Sequence, residues 1–402
     1  MLAIPFAMPA MASAGASGPP EGSAQSGSPF DRQGMWVWYV SRSDGGEAAR
    51  MIARADRAGI GTVYIKAGDG GARWSQFSSS LVEALHAGGL DVCAWQYVYG
   101  TRPLAEARVG GAAVRHGADC LAIDAESSYE GRYAAAERYV RALRARIGES
   151  FPVSLAGFPY VDYHPAFPYS VFLGPGGADY VQPQMYWKAI GTSVRAVYEH
   201  TYLFNRLWGR PIYPLGQTWE RPGRRSILRF RRFAQSYGGA PPSWWDWQET
   251  APAGWRALGA SVGGPIAGYL PVVSRPVLKR HSRGDLVVWA QEHLRAAGQA
   301  TVPVNGAFDR ATYEGVAAFQ GASGLPVDGT IGEATWQALL AYEPLSPRWA
   351  GSRARRGGAA ASRGGGGTAG RMGGATDERA VPPHRPLSAS LPARAYEIPR
   401  RP

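Results

Sequence analysis

The chain has 402 residues, 45% of them hydrophobic, and a formal net charge of +12. That is enough apolar material for one large and one small core. No run of 18 or more apolar residues occurs, which excludes a membrane-spanning helix. The seven His and two Cys show no HExxH, HxxxH or CxxC spacing, so neither a metal nor another cofactor is expected.

The first eight residues are apolar and run into Ala12-Ser13-Ala14, a small-residue cleavage pattern without a basic segment before it. Two readings stay open: a signal peptide for secretion whose start is missing, or a disordered leader. Residues 15–33 are rich in Gly, Ser and Pro and are expected to be a linker, so that 1–33 is leader and linker. From Gly34 onward, short runs rich in Val, Ile, Tyr and Trp alternate with amphipathic Ala/Arg-rich segments, the pattern of a parallel sheet wrapped by helices. The runs predict strands at 35–40, 62–67, 92–98, 120–126, 152–158, 180–186, 211–215 and 243–247. Helices are predicted at 44–58, where Asp44 and Glu47 suggest a capping box, and at 132–147, 193–207 and 226–237. Eight strands over about 220 residues predict an α/β fold, a (β/α)8 TIM barrel spanning 34–250. Cys93 and Cys120 fall on neighbouring strands, and two buried free thiols are favoured there over a disulfide.

Residues 251–275 read as a linker or as the last barrel helix. A small three-helix unit follows at 276–342. The segment 343–402 is Gly/Arg/Ala/Pro-rich and is expected to be a disordered tail. Its Arg excess suits anionic wall polymers; nucleic acid is not expected as a partner.

The small unit contains an internal repeat. Asn305-Gly306-Ala307-Phe308-Asp309-Arg310-Ala311-Thr312 recurs as Asp328-Gly329-Thr330-Ile331-Gly332-Glu333-Ala334-Thr335. Each copy opens with a turn dipeptide that tolerates positive φ and leads into an amphipathic helix. With Arg283-Gly284-Asp285, Gln291, Leu294, Ala318-Phe319-Gln320 and Thr335-Trp336, this series resembles the type 1 peptidoglycan-binding domain of bacterial wall hydrolases. Ala290 and Asp309 depart from that pattern, standing where the family usually has Leu and Gly. The resemblance implies peptidoglycan as the partner and a secreted, wall-associated protein.

Barrel chemistry belongs at the C-terminal ends of the strands. The fourth strand ends Ile123-Asp124-Ala125-Glu126, and residues two apart on a strand face the same way, about 6.5–7 Å apart at Cα. Asp124 and Glu126 are therefore the candidate catalytic pair. Glycosidic cleavage needs one protonated and one ionised carboxyl, and two adjacent carboxyls in a partly apolar mouth push their pKa values apart. Glu126, further out, is read as the acid, and Asp124 as the group that stays charged. The alternative is that an acid at a strand end caps the next helix. Lys66, if inward, needs Asp69 or Asp124 as counter-charge. Gln182, Gln184, Tyr186 and Trp187 on the sixth strand, with Asp246 and Trp247 on the eighth, supply the hydrogen-bonding and stacking groups a sugar requires. Each aromatic among them also suits core packing.

Ile65-Lys66-Ala67 with an acid nearby, Asp124-Ala125-Glu126 and Trp247-Gln248 resemble the glycoside hydrolase clan that includes family 25 muramidases. The D-x-E together with Tyr186 also resembles chitinase-type family 18 enzymes. The first strand, Met35-Trp36-Val37-Trp38-Tyr39-Val40, lacks the acid found there in family 25. These resemblances imply cleavage of β-1,4 bonds beside N-acetylated sugars, in family 18 with the substrate's N-acetyl group as nucleophile held by the Asp and the Tyr. A barrel that binds wall glycan without cutting it is the alternative.

Overall fold

The computed structural model describes residues 27–345 and Trp349. The leader before Gly27 and nearly all of the expected tail lie outside the described residues. The strands are β1 (Gly34–Val37), β2 (Thr62–Asp69), β3 (Ala72–Arg73), β4 (Asp91–Val98), β5 (Cys120–Ala125), β6 (Val153–Gly157), β7 (Tyr180–Pro183), β8 (Leu215–Gln217) and β9 (Ser243–Trp245). The helices are α1 (Ala48–Ala58), α2 (Ser79–Ala87), α3 (Pro103–Arg115), α4 (Tyr133–Ile147), α5 (Tyr169–Phe172), α6 (Trp187–Ile190), α7 (Val194–Asn205), α8 (Arg224–Ser236), α9 (Pro252–Leu258), α10 (Asp285–Ala296), α11 (Arg310–Ala322) and α12 (Glu333–Leu339).

All strands but β3 pair in parallel, in the order β7-β6-β5-β4-β2-β1-β9-β8. Parallel bridges Val181–Ile212 and Gln184–Leu215 join β7 to the chain around β8 and close the ring. The predicted (β/α)8 barrel is thus the observed architecture. The short antiparallel β3, paired to β2, is an addition at its mouth.

Alternation along the strands divides the interior into two populations. Met35, Val37, Ile65, Leu121 and Ile123 face the helices. Trp36, Tyr64, Cys93, Trp95, Cys120, Ala122, Ala156 and Trp245 fill the ring. Gly34 makes room for the inward layer: a Cβ there would stand 2.5 Å from the Tyr64 ring, which stacks on Trp36. Below them Phe30, 1% exposed, packs on Tyr64, Tyr180 and Tyr213 and plugs the base. The expected linker therefore stops before residue 33, because Ser28 caps the turn that delivers Phe30.

Two further expectations are corrected, and one choice left open by the sequence is decided. Cys93 and Cys120 are bonded to each other; the β4–β5 register sets them directly opposite, with both side chains inside the ring. The capping box at Asp44 does not form. Asp44 sits at φ 51°, pairs with Arg54 and accepts a hydrogen bond from Trp247 Nε1, while α1 begins only at Ala48. Of the two readings of 251–275, residues 252–258 take that of a last barrel helix, which buries Trp255, Ala257 and Leu258.

In the small unit the repeat has one physical cause. The Gln291 amide donates to Asn305 Oδ1, the Ala307 carbonyl and Thr312 Oγ1, and its oxygen accepts from the Asn305 and Gly306 amides. Gln320 repeats the pattern on Asp328, Thr330, Thr335 and Gly329. Each buried glutamine pins a turn whose glycine takes φ of 70° or 66°. Asp309, the departure from the family pattern, caps α11 through the Thr312 amide.

This unit is fastened to the barrel. The Asp285 carboxylate accepts from the Ser170 amide and hydroxyl, both at 2.7 Å. Trp289 Nε1 donates to the Leu207 carbonyl, and its ring meets Trp208 edge-on. Both cores form one continuous apolar cluster.

Candidate active site

At the mouth, Asp124 ends the inward row Cys120, Ala122, Asp124 on β5, and Glu126 follows just past the strand. They are 7% and 4% exposed. Glu126 precedes the turn Ser127–Tyr129, yet its side chain does not cap it. Instead the Gln184 amide donates to Asp124 Oδ1 and Glu126 Oε1, 3.0 Å to each. One neutral amide thus holds two acids together, with each of its hydrogens serving one carboxyl.

Burial, and then the charge of Glu126, push the Asp124 pKa well above the ordinary carboxylate value, against the opposing pull of Lys66 and Gln184. The surroundings thus favour a proton on Asp124, the reverse of the expectation that this carboxyl is the one that stays charged. Tyr186, 1% exposed, stands in the field of both acids and of Asp246, and burial raises its phenol. Tyr97 faces the same pair from β4.

Lys66, 3% exposed, points inward from β2 and pairs with Asp69 at 2.7 Å. Its ammonium lies 4.4, 4.8 and 5.0 Å from the ring centroids of Trp74, Trp95 and Trp38. Burial lowers its pKa while Asp69 and Asp124 raise it. Three indole faces and one carboxylate thus replace its water. Tyr99 donates to the second Asp69 oxygen at 2.8 Å.

Asp246 is 1% exposed. One oxygen accepts from the Glu249 amide, the other has no partner among the described residues, and burial pushes the pKa to about 8. A carboxyl in that state is a hydrogen-bond donor at neutral pH.

Asp124, Glu126, Gln184, Tyr186, Lys66 and Asp69 thus come together around the mouth, with Asp246 beside Tyr186. Three others do not join them. Gln182 lies a layer deeper, binding Ser154, Tyr64 and Ser243 inside the ring. Trp187 stacks on Phe230, and Trp247 packs on Trp255; both face the helices. The sequence reading missed Trp38, Trp74, Trp95, Tyr97, Trp219 and Trp245, which form the aromatic wall. The alternation Trp36-x-Trp38, on and just past β1, and Trp95-x-Tyr97 on β4 was the available signal. Among the described residues, no cluster of three His, Cys, Asp or Glu could hold a metal ion, and no helix is long and apolar enough to cross a membrane.

Fold and site define a closed parallel barrel with a buried acid pair, joined to a second small unit. Residues 283–339 match the family model of the peptidoglycan binding domain, so the chain carries such a domain. Against curated proteins the chain finds no match. Among solved structures it is similar to a chitinase from Chromobacterium violaceum ATCC 12472, with 12% identity, a TM-score of 0.41, and 56% of this chain and 98% of that one covered. It is also similar to a class V chitinase from Pseudomonas fluorescens Pf-5, with 10% identity, a TM-score of 0.42, and 56% and 98% covered. A third is the endo-β-1,4-mannanase of Thermotoga petrophila, with 9% identity, a TM-score of 0.42, and 55% and 68% covered.

Proposed function

We propose that this chain is a secreted cell-wall glycan hydrolase, of muramidase or N-acetylglucosaminidase type, held to its substrate by the peptidoglycan-binding domain. The observation that carries the reading is the buried Asp124–Glu126 pair, bridged by Gln184 beneath an aromatic wall. Glu126 delivers the pair's proton to the glycosidic oxygen as the bond to the sugar's C1 breaks. The charge developing at C1 is met by the substrate's own N-acetyl oxygen, which Asp124 and Tyr186 orient. Water then attacks C1, and Glu126 takes its proton. Lys66 holds the local field that keeps Asp124 from remaining fully neutral. The aromatic faces give sugar rings their stacking surface. The Cys93–Cys120 bond supports an oxidising, extracellular setting.

Glu126→Gln tests this. It should abolish release of reducing ends from purified wall while leaving co-sedimentation with the wall unchanged; retained release removes Glu126 from the role. A second reading, a barrel that binds wall glycan without cutting, is favoured by β1 and the residue after it, which bring Trp36 and Trp38 into the ring and no acid. It predicts wall binding by the natural chain with no soluble fragments.

A further inference from the structure

The loop from β8 to α8 carries charge that the fold does not use. Arg221, Arg224 and Arg225 are exposed and make no ion pair or hydrogen bond among the described residues. The arginines further along α8 are employed: Arg231 and Arg232 donate to backbone carbonyls, and Arg229 lies over Phe233. The first turn of α8 contains no acid. Cations there oppose the helix dipole, so helix stability does not account for them.

The loop lies at the candidate mouth. The Trp219 ring stands edge-on to Tyr186 at 6.3 Å, and the Thr218 and Trp219 amides donate to the Trp245 carbonyl. Trp219 is 5% exposed, and its indole N–H has no acceptor among the described residues. Next to it Glu220 and Arg221 both adopt left-handed backbone, at φ 56° and 51°. Neither is glycine, and proline follows, so this conformation is costly. Gln217 and Lys188 grip Glu220 and hold the turn that presents Arg221.

We propose that Arg221, Arg224 and Arg225 form an arginine rim that recognises the carboxylates of peptide-substituted glycan. The inference rests on the reading of the mouth as a glycan cleft and names the substrate class within it. A bare N-acetylated glycan is neutral. Wall glycan bears peptides whose carboxylates hang beside the sugar chain, and guanidinium forks pair with carboxylates in bidentate geometry. The rim thus prefers substituted wall glycan over neutral glycan of the same backbone.

The test uses the full chain and soluble, uncrosslinked wall fragments in two forms: carboxylates free, and carboxylates capped as amides. Binding is followed by tryptophan fluorescence at low salt. The natural protein should bind the free form about 5–10-fold more tightly, a preference that fades as salt rises. The triple variant R221A/R224A/R225A should bind both forms equally, at the affinity the natural protein has for the capped form. All three residues are exposed, and two of them oppose the α8 dipole, so the melting temperature should not fall. A variant that keeps the preference, or a natural protein that has none, overturns the proposal. Cleavage is scored separately: absence of fragment release by the natural protein refutes the hydrolase reading and leaves the binding result standing.

Discussion

Asp285→Asn should remove a pH-dependent weakness from the junction between the barrel and the small unit. Asp285 is fully buried, and despite donors on Ser170 and Tyr133, burial raises its pKa from 3.8 to about 7. Between those values the native state binds more protons than the unfolded chain. Stability is therefore complete below about pH 4 and falls as pH rises toward 7. The shift of about three pH units corresponds to at most about 4 kcal/mol at pH 8. Buried Glu292 on the same helix acts in the same direction. Asparagine keeps the shape and an acceptor for the Ser170 amide, while the Ser170 and Tyr133 hydroxyls can reverse roles to accept from it. Urea unfolding at pH 4, 5, 6, 7 and 8, followed by tryptophan fluorescence, should show the natural protein losing stability across the series and D285N losing less. The difference should grow toward pH 8. A variant weakened equally at every pH would refute the reasoning, because Asp285 would then act only through its hydrogen bonds.

Gln184→Leu removes both amide donors from the acid pair. Turnover should fall about 10–100-fold, the worth of one or two hydrogen bonds to charged groups. The ascending limb of the pH–rate profile should move up, since Asp124 loses a bond that lowers its pKa; a profile of unchanged shape would count against the pairing. Lys66→Met should shift that limb the same way, and assays of reducing-end release from pH 4 to 8 would expose a null effect. Removing the Cys93–Cys120 bond, by reduction or by a double change to Ala, opens a loop of 27 residues and should cost about 3.5 kcal/mol by loop entropy. Calorimetry with and without reductant reads this loss, and equal melting in both would show the bond to be unformed.

The features legible in the sequence are those with a local cause. Period-two alternation placed Asp124 above Ala122 and Cys120, and the Asn-Gly and Asp-Gly turns marked the repeat of the small unit. What failed depends on distant partners. Trp187 and Trp247 adjoin true mouth residues along the chain, yet a step of one residue turns a side chain to the other face of the wall, and β7 and β9 end one or more residues earlier than predicted. Asp44 has the spacing of a cap, but Arg54 and Trp247 claim it. The two cysteines were placed on neighbouring strands, while their bonding depends on an inter-strand register that neither segment encodes alone. Asp285 reads as part of a family motif, and its partner Ser170 is 115 residues away.

The seam at α10 has a consequence for work on an insoluble mesh. A tethered anchor would let a catalytic head sample every strand within the sweep of its leash. In the hydrolase proposed above, grip and cutting edge would share one packed seam, so strands at one offset and one bearing from the gripped site would be within reach, and each new cut would require the grip to let go.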